Sequence, residues 1–325
     1  MIFYHHLVDL TTALKCYYSK TNKGMSKEEW LAIRAQKGIG GSDVSVIFGV
    51  NKFKSIFELW EEKIGRKKPE ESISEAAHFG TVLEETVKQE FMRRTGLKVR
   101  AKNAILQSDK YPWMICNLDG VINENGEKVI FEAKTAIEYK ANEFENGIPF
   151  EYQLQVQHYF AITGYEKAYV AALVGGNKFY INTVYRDEDL IEQIIEIEKR
   201  FWNENVLGMI EPEADGSEAT GKFISNKYSK GNGKSIDLPE STIPLIEEYE
   251  SVSKRIDELT YLRDSIGNKL KMELGDNEVG VINNHKISWK NVTQRRVDTG
   301  RLKSEQPEIY SEYRTESHFR RLQVA

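Results

Sequence analysis

Two strand-like pieces joined by a tight turn constrain this chain more than any other feature. The pieces are WMICNLDGVI at 113–122 and KVIFEAKTA at 128–136, and the turn between them contains Asn-Glu-Asn-Gly. An Asn-Gly pair between alternating apolar residues is a strong hairpin signal. In a strand, Glu132 and Lys134 are two residues apart and project from the same face. The sequence therefore predicts a hairpin with charged groups on one face.

Helical patterns flank this hairpin on both sides. Capping serines predict helices that begin at Ser26 and at Ser42. The other predicted elements are helices at about 55–64, 76–96, 149–164 and 187–208, and strands at 98–106, 167–176 and 178–185. This alternation predicts an α/β (α+β) fold with a central mixed sheet flanked by helices.

Composition changes divide the chain into four parts. Residues 1–25 show no clear period and are predicted to be an N-terminal extension, and residues 26–210 carry the main body. Residues 211–241 are poor in large apolar side chains and rich in Gly, Ser, Asp and Lys, which predicts a linker. Residues 242–325 predict a helical appendage: a long helix or helical hairpin, a small strand pair and a basic tail.

The charge and the cysteines exclude several classes of protein. The net charge is −5, so a DNA-binding surface would have to be a local basic stripe. Cys16 and Cys116 are the two cysteines, which makes a disulfide framework or a structural zinc site improbable. No apolar run approaches the length that spans a bilayer. We expect a soluble, cytoplasmic protein without a membrane anchor.

Acidic residues on the hairpin point to a cation site. Asp119 lies near the end of one strand, across the hairpin from Glu132, with Lys134 beside them. Two carboxylates suit Mg²⁺ or Mn²⁺, and the adjacent ammonium group can orient an attacking water molecule. The pattern favours phosphodiester hydrolysis. The alternative is a surface hairpin in which Glu132 and Lys134 only pair with each other.

A carboxylate on the preceding helix supports the cation site. Glu84 shares the inward helix face with Val87 and Phe91, where a carboxylate needs a partner. A buried basic residue would satisfy Glu84 equally well.

Two further motifs are candidates for substrate contact. GIGGS places glycines before Ser42, an arrangement that can hold a phosphate, and Arg34 could add a bidentate contact. A plain helix start gives the same pattern. On the helix YQLQVQHYF, Gln155 and Gln157 are candidates for contact with the site, or are ordinary helix surface.

Taken in order, these blocks resemble the YqaJ-type viral recombinases, which belong with the lambda exonuclease family in the PD-(D/E)XK nuclease superfamily. The matching blocks are a W-x3-R with GIGGSD, FGxxLE at 79–84, LDG at 118–120, EAK at 132–134 and QVQHY at 155–159. The resemblance covers most of residues 26–210 and implies a restriction-endonuclease-like core. The interval from Arg34 to Ser42 is one residue longer than in lambda exonuclease.

The resemblance also implies roles for individual residues. Asp119, Glu132 and the Ala133 carbonyl would bind the metal, two Mg²⁺ or Mn²⁺ ions, and Lys134 would lie beside the attacking water. Glu84 would support the site and Gln155 would lie at it. The counterparts of Arg34 and Ser42 form the pocket for the 5′-phosphate of a DNA end.

The activity implied by the resemblance is 5′-to-3′ degradation of one strand of linear double-stranded DNA. Its partners would be DNA ends and a single-strand annealing protein, in phage or prophage recombination within a bacterial cell. A homo-oligomer, such as the ring-shaped trimer of lambda exonuclease, is also implied. The alternatives are an endonuclease or single-strand nuclease with the same chemistry, and a non-catalytic DNA-binding protein.

The C-terminal tail is locally basic. From Lys286 to Arg321 it has nine basic and five acidic residues, with four aromatic residues among them. Such a tail can contact DNA or can dock on the acidic helix around 188–198, and the sequence favours neither.

Overall fold

The computed structural model describes residues 17–21, 38–67, 74–102 and 104–324, with only the backbone described for 17–21. The predicted helix at Ser26 and the candidate Arg34 lie outside the described residues. The described chain forms two compact units, divided between Lys227 and Tyr228.

The first unit contains seven α-helices and eight strands within its described residues. The helices are α1 (Gly41–Ile47), α2 (Ile56–Lys63), α3 (Glu75–Thr95), α4 (Ala141–Glu145), α5 (Phe150–Thr163), α6 (Glu188–Arg200) and α7 (Glu218–Lys227). The strands are β1 (Tyr17–Thr21), β2 (Val99–Arg100), β3 (Ala104–Gln107), β4 (Ile115–Asn117), β5 (Gly120–Glu124), β6 (Glu127–Ala136), β7 (Lys167–Val174) and β8 (Lys178–Tyr185). A π-helix, Phe201–Leu207, continues α6.

A mixed sheet of five strands forms the centre of this unit. Its strand order is β2-β5-β6-β7-β8, in which β6 and β7 are parallel and the other neighbours are antiparallel. A second sheet of three strands has the order β1-β3-β4. The predicted α/β class with a central mixed sheet is confirmed.

The predicted hairpin joins β5 to β6. Glu124 pairs with Glu127, so the turn consists of Asn125 and Gly126, both with positive φ (52° and 92°). This is the backbone conformation that Asn-Gly favours between antiparallel strands.

The two faces of β6 pack against different helices. Val129 and Phe131 lie in a core cluster with Val87 and Phe91 of α3. Ile130, on the opposite face, lies in a cluster with Leu154 and other residues of α5. The sheet is thus covered by α3 on one side and by α5 on the other, and β6 is buried between them.

Most predicted elements are confirmed, with four corrections. Ser42 does not cap its helix: the N-cap is Gly40, whose N–H donates to the Asp43 carboxylate (3.0 Å). The predicted strands at 98–106 and 113–122 are each divided into two shorter strands. Part of the predicted extension, Tyr17–Thr21, is a strand that pairs antiparallel with β3. That pairing joins distant parts of the chain, so local pattern does not reveal it.

The fourth correction concerns the predicted linker at 211–241. Within it, α7 packs against α2, and Phe223 stacks on Phe57 with 5.3 Å between the ring centroids. Ala219 and Thr220 are buried as well. The contact uses small residues and one aromatic ring, so the segment looks polar in sequence although it belongs to the first unit.

The second unit begins at Tyr228. It contains one long helix, α8 (Ile243–Leu274), a strand pair, β9 (Val279–Ile282) and β10 (His285–Ser288), and the short helices α9 (Thr299–Glu305) and α10 (Pro307–Tyr313). Of the two predicted alternatives, the single helix is therefore correct. No helix among the described residues is both long and apolar enough to cross a bilayer.

Candidate active site

A cleft of about 460 Å³ is lined by residues of β4 and β6. Its lining includes most of the residues predicted to carry the chemistry, namely Glu84, Asp119, Glu132, Lys134 and Gln155, together with Ser42. These residues come from α1, α3, α5, β6 and the bend before β5. The fold therefore brings together side chains that are up to 113 residues apart in sequence, from Ser42 to Gln155.

Glu132, Lys134 and Gln155 form a closed set of hydrogen bonds in this cleft. Lys134 Nζ donates to Glu132 Oε1 (2.6 Å) and to Gln155 Oε1 (2.9 Å). Gln155 Nε2 donates to the same Glu132 oxygen (2.8 Å) and to the Tyr159 hydroxyl (2.6 Å). All of these bonds to Glu132 use one oxygen. The other, Oε2, is buried and has no hydrogen-bond partner among the described residues.

Asp119 is fixed beside this set by the backbone of β6. The N–H of Ala133 donates to Asp119 Oδ2 (2.9 Å). Gly120 and Phe131 are paired at the end of the antiparallel β5–β6 ladder. Asp119 precedes Gly120 and Glu132 follows Phe131, so these two residues occupy the next position, opposite each other. Glu84 approaches from α3 and is half-buried.

The three carboxyl groups are held in an environment that disfavours their charge. Burial, with the charge of Asp119 as the second cause, raises the pKa of Glu132 to about 8. Burial also raises the pKa of Asp119. The pKa of Glu84 is raised by burial and then by Asp119. Because neighbouring carboxylates repel each other, a cation placed between them would relieve this electrostatic cost.

Lys134 supplies one positive charge to the cleft. Burial acts to lower the pKa of Lys134, but the charges of Glu132 and Asp119 outweigh it, so the pKa lies above its usual value. The ammonium nitrogen also lies 4.7 Å from the centroid of the Tyr152 ring, within the range of a cation–π contact. Lys134 is therefore a protonated, oriented donor at neutral pH.

The oxygen atoms of the cleft fit a hard divalent cation. Mg²⁺ is commonly held by one or two carboxylates together with water and substrate phosphate oxygens. Asp119 and Glu132 are two such carboxylates, and the unpartnered Glu132 Oε2 is an available ligand atom. In the described part of the chain, no group of three or more His, Cys, Asp or Glu side chains is arranged to hold a metal ion. The side-chain ligands of a cation here would therefore be these two carboxylates, with water and substrate oxygens completing the coordination.

The GIGGS turn lies at the edge of the cleft, and two of its glycines are required by packing. A Cβ on Gly38 would lie 2.4 Å from the backbone oxygen of Trp113. A Cβ on Gly41 would lie 2.5 Å from Tyr159 Cε1 and 2.9 Å from Gln155 Cγ. Ser42 is exposed at the rim of the cleft. These two glycines let α1 approach its protein neighbours closely, and a phosphate pocket at Ser42 stays a prediction.

Gln157 lies away from the cleft, which corrects its prediction as a site residue. Its Nε2 donates to the Tyr185 carbonyl (2.7 Å), and its Oε1 accepts from the Asp187 N–H (2.9 Å). Gln157 therefore connects α5 to the turn between β8 and α6, and its role is structural.

Sequence reasoning missed three residues at or beside the site. Tyr159 accepts a hydrogen bond from Gln155, and Tyr152 lies against Lys134. Lys88 is close enough to lower the pKa of both Glu84 and Asp119, although other causes dominate. Helical spacing is the signal that was available: Tyr159 and Tyr152 are four and three residues from Gln155, and Lys88 is four residues from Glu84.

Comparisons with known proteins give one family and several partly similar solved structures. Residues 29–166 match the model of the YqaJ-like viral recombinase domain. The uncharacterized protein YqaJ of Bacillus subtilis (strain 168) is 43% identical over 307 residues, which cover 93% of this chain and 95% of that protein.

Among solved structures, the alkaline exonuclease LHK-Exo of Laribacter hongkongensis has 18% identity and a TM-score of 0.45. The superposition covers 62% of this chain and 98% of the LHK-Exo chain. Its complex with dAMP has 20% identity and a TM-score of 0.46. A phage-related exonuclease from Haemophilus somnus 129PT covers 55% of this chain and 99% of its own, with 13% identity and a TM-score of 0.41.

Proposed function

The chain belongs to the YqaJ-like viral recombinase family, and from that premise we propose that it is a metal-dependent exonuclease acting on linear double-stranded DNA. The observation that carries the proposal is the arrangement around Glu132. This carboxylate is fully buried and uses one oxygen for Lys134 and Gln155. Its other oxygen, beside Asp119, has no hydrogen-bond partner in the part of the chain that the structure describes. A structural ion pair would need neither Asp119 nor a free oxygen.

We assign the metal ligands to Asp119, Glu132 and the Ala133 carbonyl. A bound Mg²⁺ or Mn²⁺ ion would polarise a phosphoryl oxygen and lower the pKa of a water molecule. Asp119 is already oriented for this by the Ala133 N–H.

The remaining residues position the attacking water and the substrate. The Lys134 ammonium, fixed by Glu132 and Gln155, donates to the water that attacks phosphorus, and it neutralises charge that develops on the phosphate. As the water oxygen bonds to phosphorus, the water releases a proton to solvent. The phosphorus–oxygen bond to the leaving nucleotide breaks, and the leaving oxygen takes a proton from solvent. Glu84, whose pKa is raised, faces the same cleft and supports the site.

We further propose 5′-to-3′ polarity, with Ser42 near the 5′-phosphate and the remaining single strand serving recombination by annealing. The exposed position of Ser42 on the rim of the cleft is compatible with contact to a DNA end. The family description as a viral recombinase domain supports the link to recombination.

Digestion of defined DNA substrates tests the proposal. Linear duplexes with 5′-phosphate or 5′-hydroxyl ends, labelled at either end, and closed circles are incubated with and without Mg²⁺. We expect Mg²⁺-dependent loss of linear DNA, release of the 5′ label first, and preference for phosphorylated ends. Cleavage of circles would instead indicate an endonuclease, and the absence of any cleavage would favour a binding role.

Lys134→Ala is the decisive variant for the mechanism. It removes the oriented ammonium group and is expected to abolish cleavage while end binding is retained. Lys167→Ala is the matched control, because Lys167 also pairs with a glutamate, Glu124, but does not line the cleft. Full activity in Lys134→Ala would refute the mechanism.

A further inference from the structure

The long helix α8 exposes an apolar seam along most of its length. Nine large apolar side chains on it are between 40% and 65% exposed. Seven of them form one seam: Leu245, Tyr249, Val252, Ile256, Leu259, Ile266 and Leu270. A row of this size on a helix of a globular protein marks an interaction surface.

The spacing of the seam is that of a coiled coil. Its members follow one another at intervals of four and three residues, and Arg263 occupies the one position in the series that is not apolar. Apolar residues that repeat every 3.5 residues on average keep one seam facing a partner helix. From Leu245 to Leu270 the seam is about 37 Å long at 1.5 Å per residue.

We propose that the occupant of this seam is α8 of a second copy of the chain, in antiparallel orientation. In that orientation the seam is complementary to itself. Leu245 of one copy packs against Leu270 of the other, Tyr249 against Ile266, and Ile256 against Leu259. These contacts all follow from a single two-fold axis near the middle of the seam.

Arg263 selects the antiparallel orientation. In a parallel pair the two Arg263 side chains would meet at the same level of the seam, and like charges there are destabilising. In the antiparallel pair Arg263 lies opposite the apolar Val252 instead of a second arginine. The aliphatic part of the arginine can then cover the seam while its guanidinium reaches water.

Charges that flank the seam agree with this orientation. Glu248 and Lys269 occupy the same heptad position on one edge of the seam, and both are exposed. Antiparallel pairing places Glu248 of one copy beside Lys269 of the other, twice per dimer. Within one helix the two residues are about 31 Å apart, so they attract each other only between copies.

The charge of the helix argues against DNA as the occupant. Between Leu245 and Leu270 there are six acidic and four basic residues. A surface of that balance does not attract a phosphate backbone, whereas a self-complementary apolar seam with paired opposite charges fits a second copy.

Charge reversal in the full chain tests the pairing. The mass of the protein is followed by sedimentation over a dilution series, for the wild type and for Glu248→Lys, Lys269→Glu and the variant with both changes. Each single reversal replaces two attractive contacts by two repulsive ones and is expected to weaken self-association about tenfold. The double reversal restores the opposite charges and is expected to recover wild-type association.

Two further variants make the outcome decisive. Glu247→Lys changes the same charge outside the seam and is expected to associate like the wild type, whereas Leu259→Lys in the seam is expected to abolish the pairing. Circular dichroism checks that each variant remains folded. The proposal is overturned if the mass of the protein changes neither with dilution of the wild type nor with Leu259→Lys. It is also overturned if the single reversals associate like Glu247→Lys. Failure of the double reversal to restore association would do the same, because only antiparallel copies bring residues 248 and 269 together.

Discussion

The Gln155 side chain is the link between the reactive groups and the helix that carries it. Its amide accepts from Lys134 and donates to Glu132 and to the Tyr159 hydroxyl. Because Tyr159 is buried and its pKa is raised well above the usual value, chiefly by burial, its hydroxyl stays protonated and neutral. Tyr159 is therefore a positioning residue that acts through Gln155.

Tyr159→Phe tests this role. The variant removes an acceptor for Gln155 and is expected to lower the single-turnover cleavage rate by about 3–10-fold, the value of one hydrogen bond. Affinity for DNA ends should not change, since Tyr159 is buried. Tyr180→Phe is a matched control, because its hydroxyl bonds to Glu145 outside the cleft. A loss of affinity without a loss of rate would exclude a positioning role.

A second buried polar pair joins α5 to α6. His158 and Glu198 have fully buried side chains, with 2.7 Å between His158 Nδ1 and Glu198 Oε1. His158 Nε2 lies 2.9 Å from the Ile115 carbonyl, which can only accept, so Nε2 carries a proton. Removing one member of a buried pair leaves the other uncompensated, and we expect His158→Ala to cost about 3–5 kcal/mol in denaturant unfolding.

The same pair makes stability depend on pH. Burial acts to lower the pKa of His158, but Glu198 outweighs it and the pKa is raised; burial raises the pKa of Glu198. A raised pKa in the folded state means that the unfolded state loses its proton first as the pH rises. The contribution of both groups to stability is therefore full below the ordinary pKa of Glu. It falls as the pH rises above that value and is lost above the raised pKa of His158. Unfolding midpoints measured over pH should show this decline, and Glu198→Gln should flatten it; an unchanged slope in that variant would assign the decline to other groups.

At this scale the sequence predicted which polar residues share the cleft better than it predicted the contacts that support them. Asp119, Glu132, Lys134 and Gln155 meet in one cleft as expected, because residues two apart on a strand share a face. Gln157 was misplaced because residues two apart on a helix point in opposite directions, whereas Tyr159, four residues from Gln155, shares its face.

At the scale of elements, the approach of α1 to α5 depends on a missing side chain. A Cβ on Gly41 would overlap Tyr159 and Gln155. We expect Gly41→Ala to destabilise the fold by about 1–3 kcal/mol and to reduce cleavage through the displaced Gln155. Gly221→Ala in α7, where a Cβ would meet nothing within 4 Å, is the control and should be neutral or slightly stabilising. Unfolding midpoints and cleavage rates that are equal in the two variants would contradict this interpretation.

Elements with a strong local signal were predicted, and those defined by distant contacts were not. Gly96 and Gly164 end α3 and α5 in the left-handed conformation, and Asn125-Gly126 forms the hairpin turn, as the sequence indicates. The pairing of β1 with β3 and the packing of α7 on α2 depend on partners far away in the chain. Local pattern carries no information about such partners. The predicted linker at 211–241 therefore contains the boundary between the units but begins 17 residues before Tyr228, within the first unit.

At the scale of the whole molecule, the boundary at Lys227 and Tyr228 separates two kinds of surface. Every described residue of the candidate site lies in the first unit, whereas the apolar seam of α8 and the basic tail lie in the second. The tail has nine basic and five acidic residues, although the whole chain has a net charge of −5. The division predicts that chemistry and engagement of partners can be separated.

Truncation after Lys227 tests this separation. The shortened chain retains α7 and the cleft, so we expect it to fold and to keep Mg²⁺-dependent cleavage. If the tail contacts DNA, the truncated chain should bind DNA ends more weakly, and its affinity should depend less steeply on salt because fewer phosphates are neutralised.

Truncation after Ile210 is the informative comparison: it also removes α7, exposes Phe57 and should lower the unfolding midpoint. Equal affinity, processivity and salt dependence in the full chain and the chain ending at Lys227 would show that the second unit does not engage DNA, and would leave the pairing of α8 as its remaining assigned role.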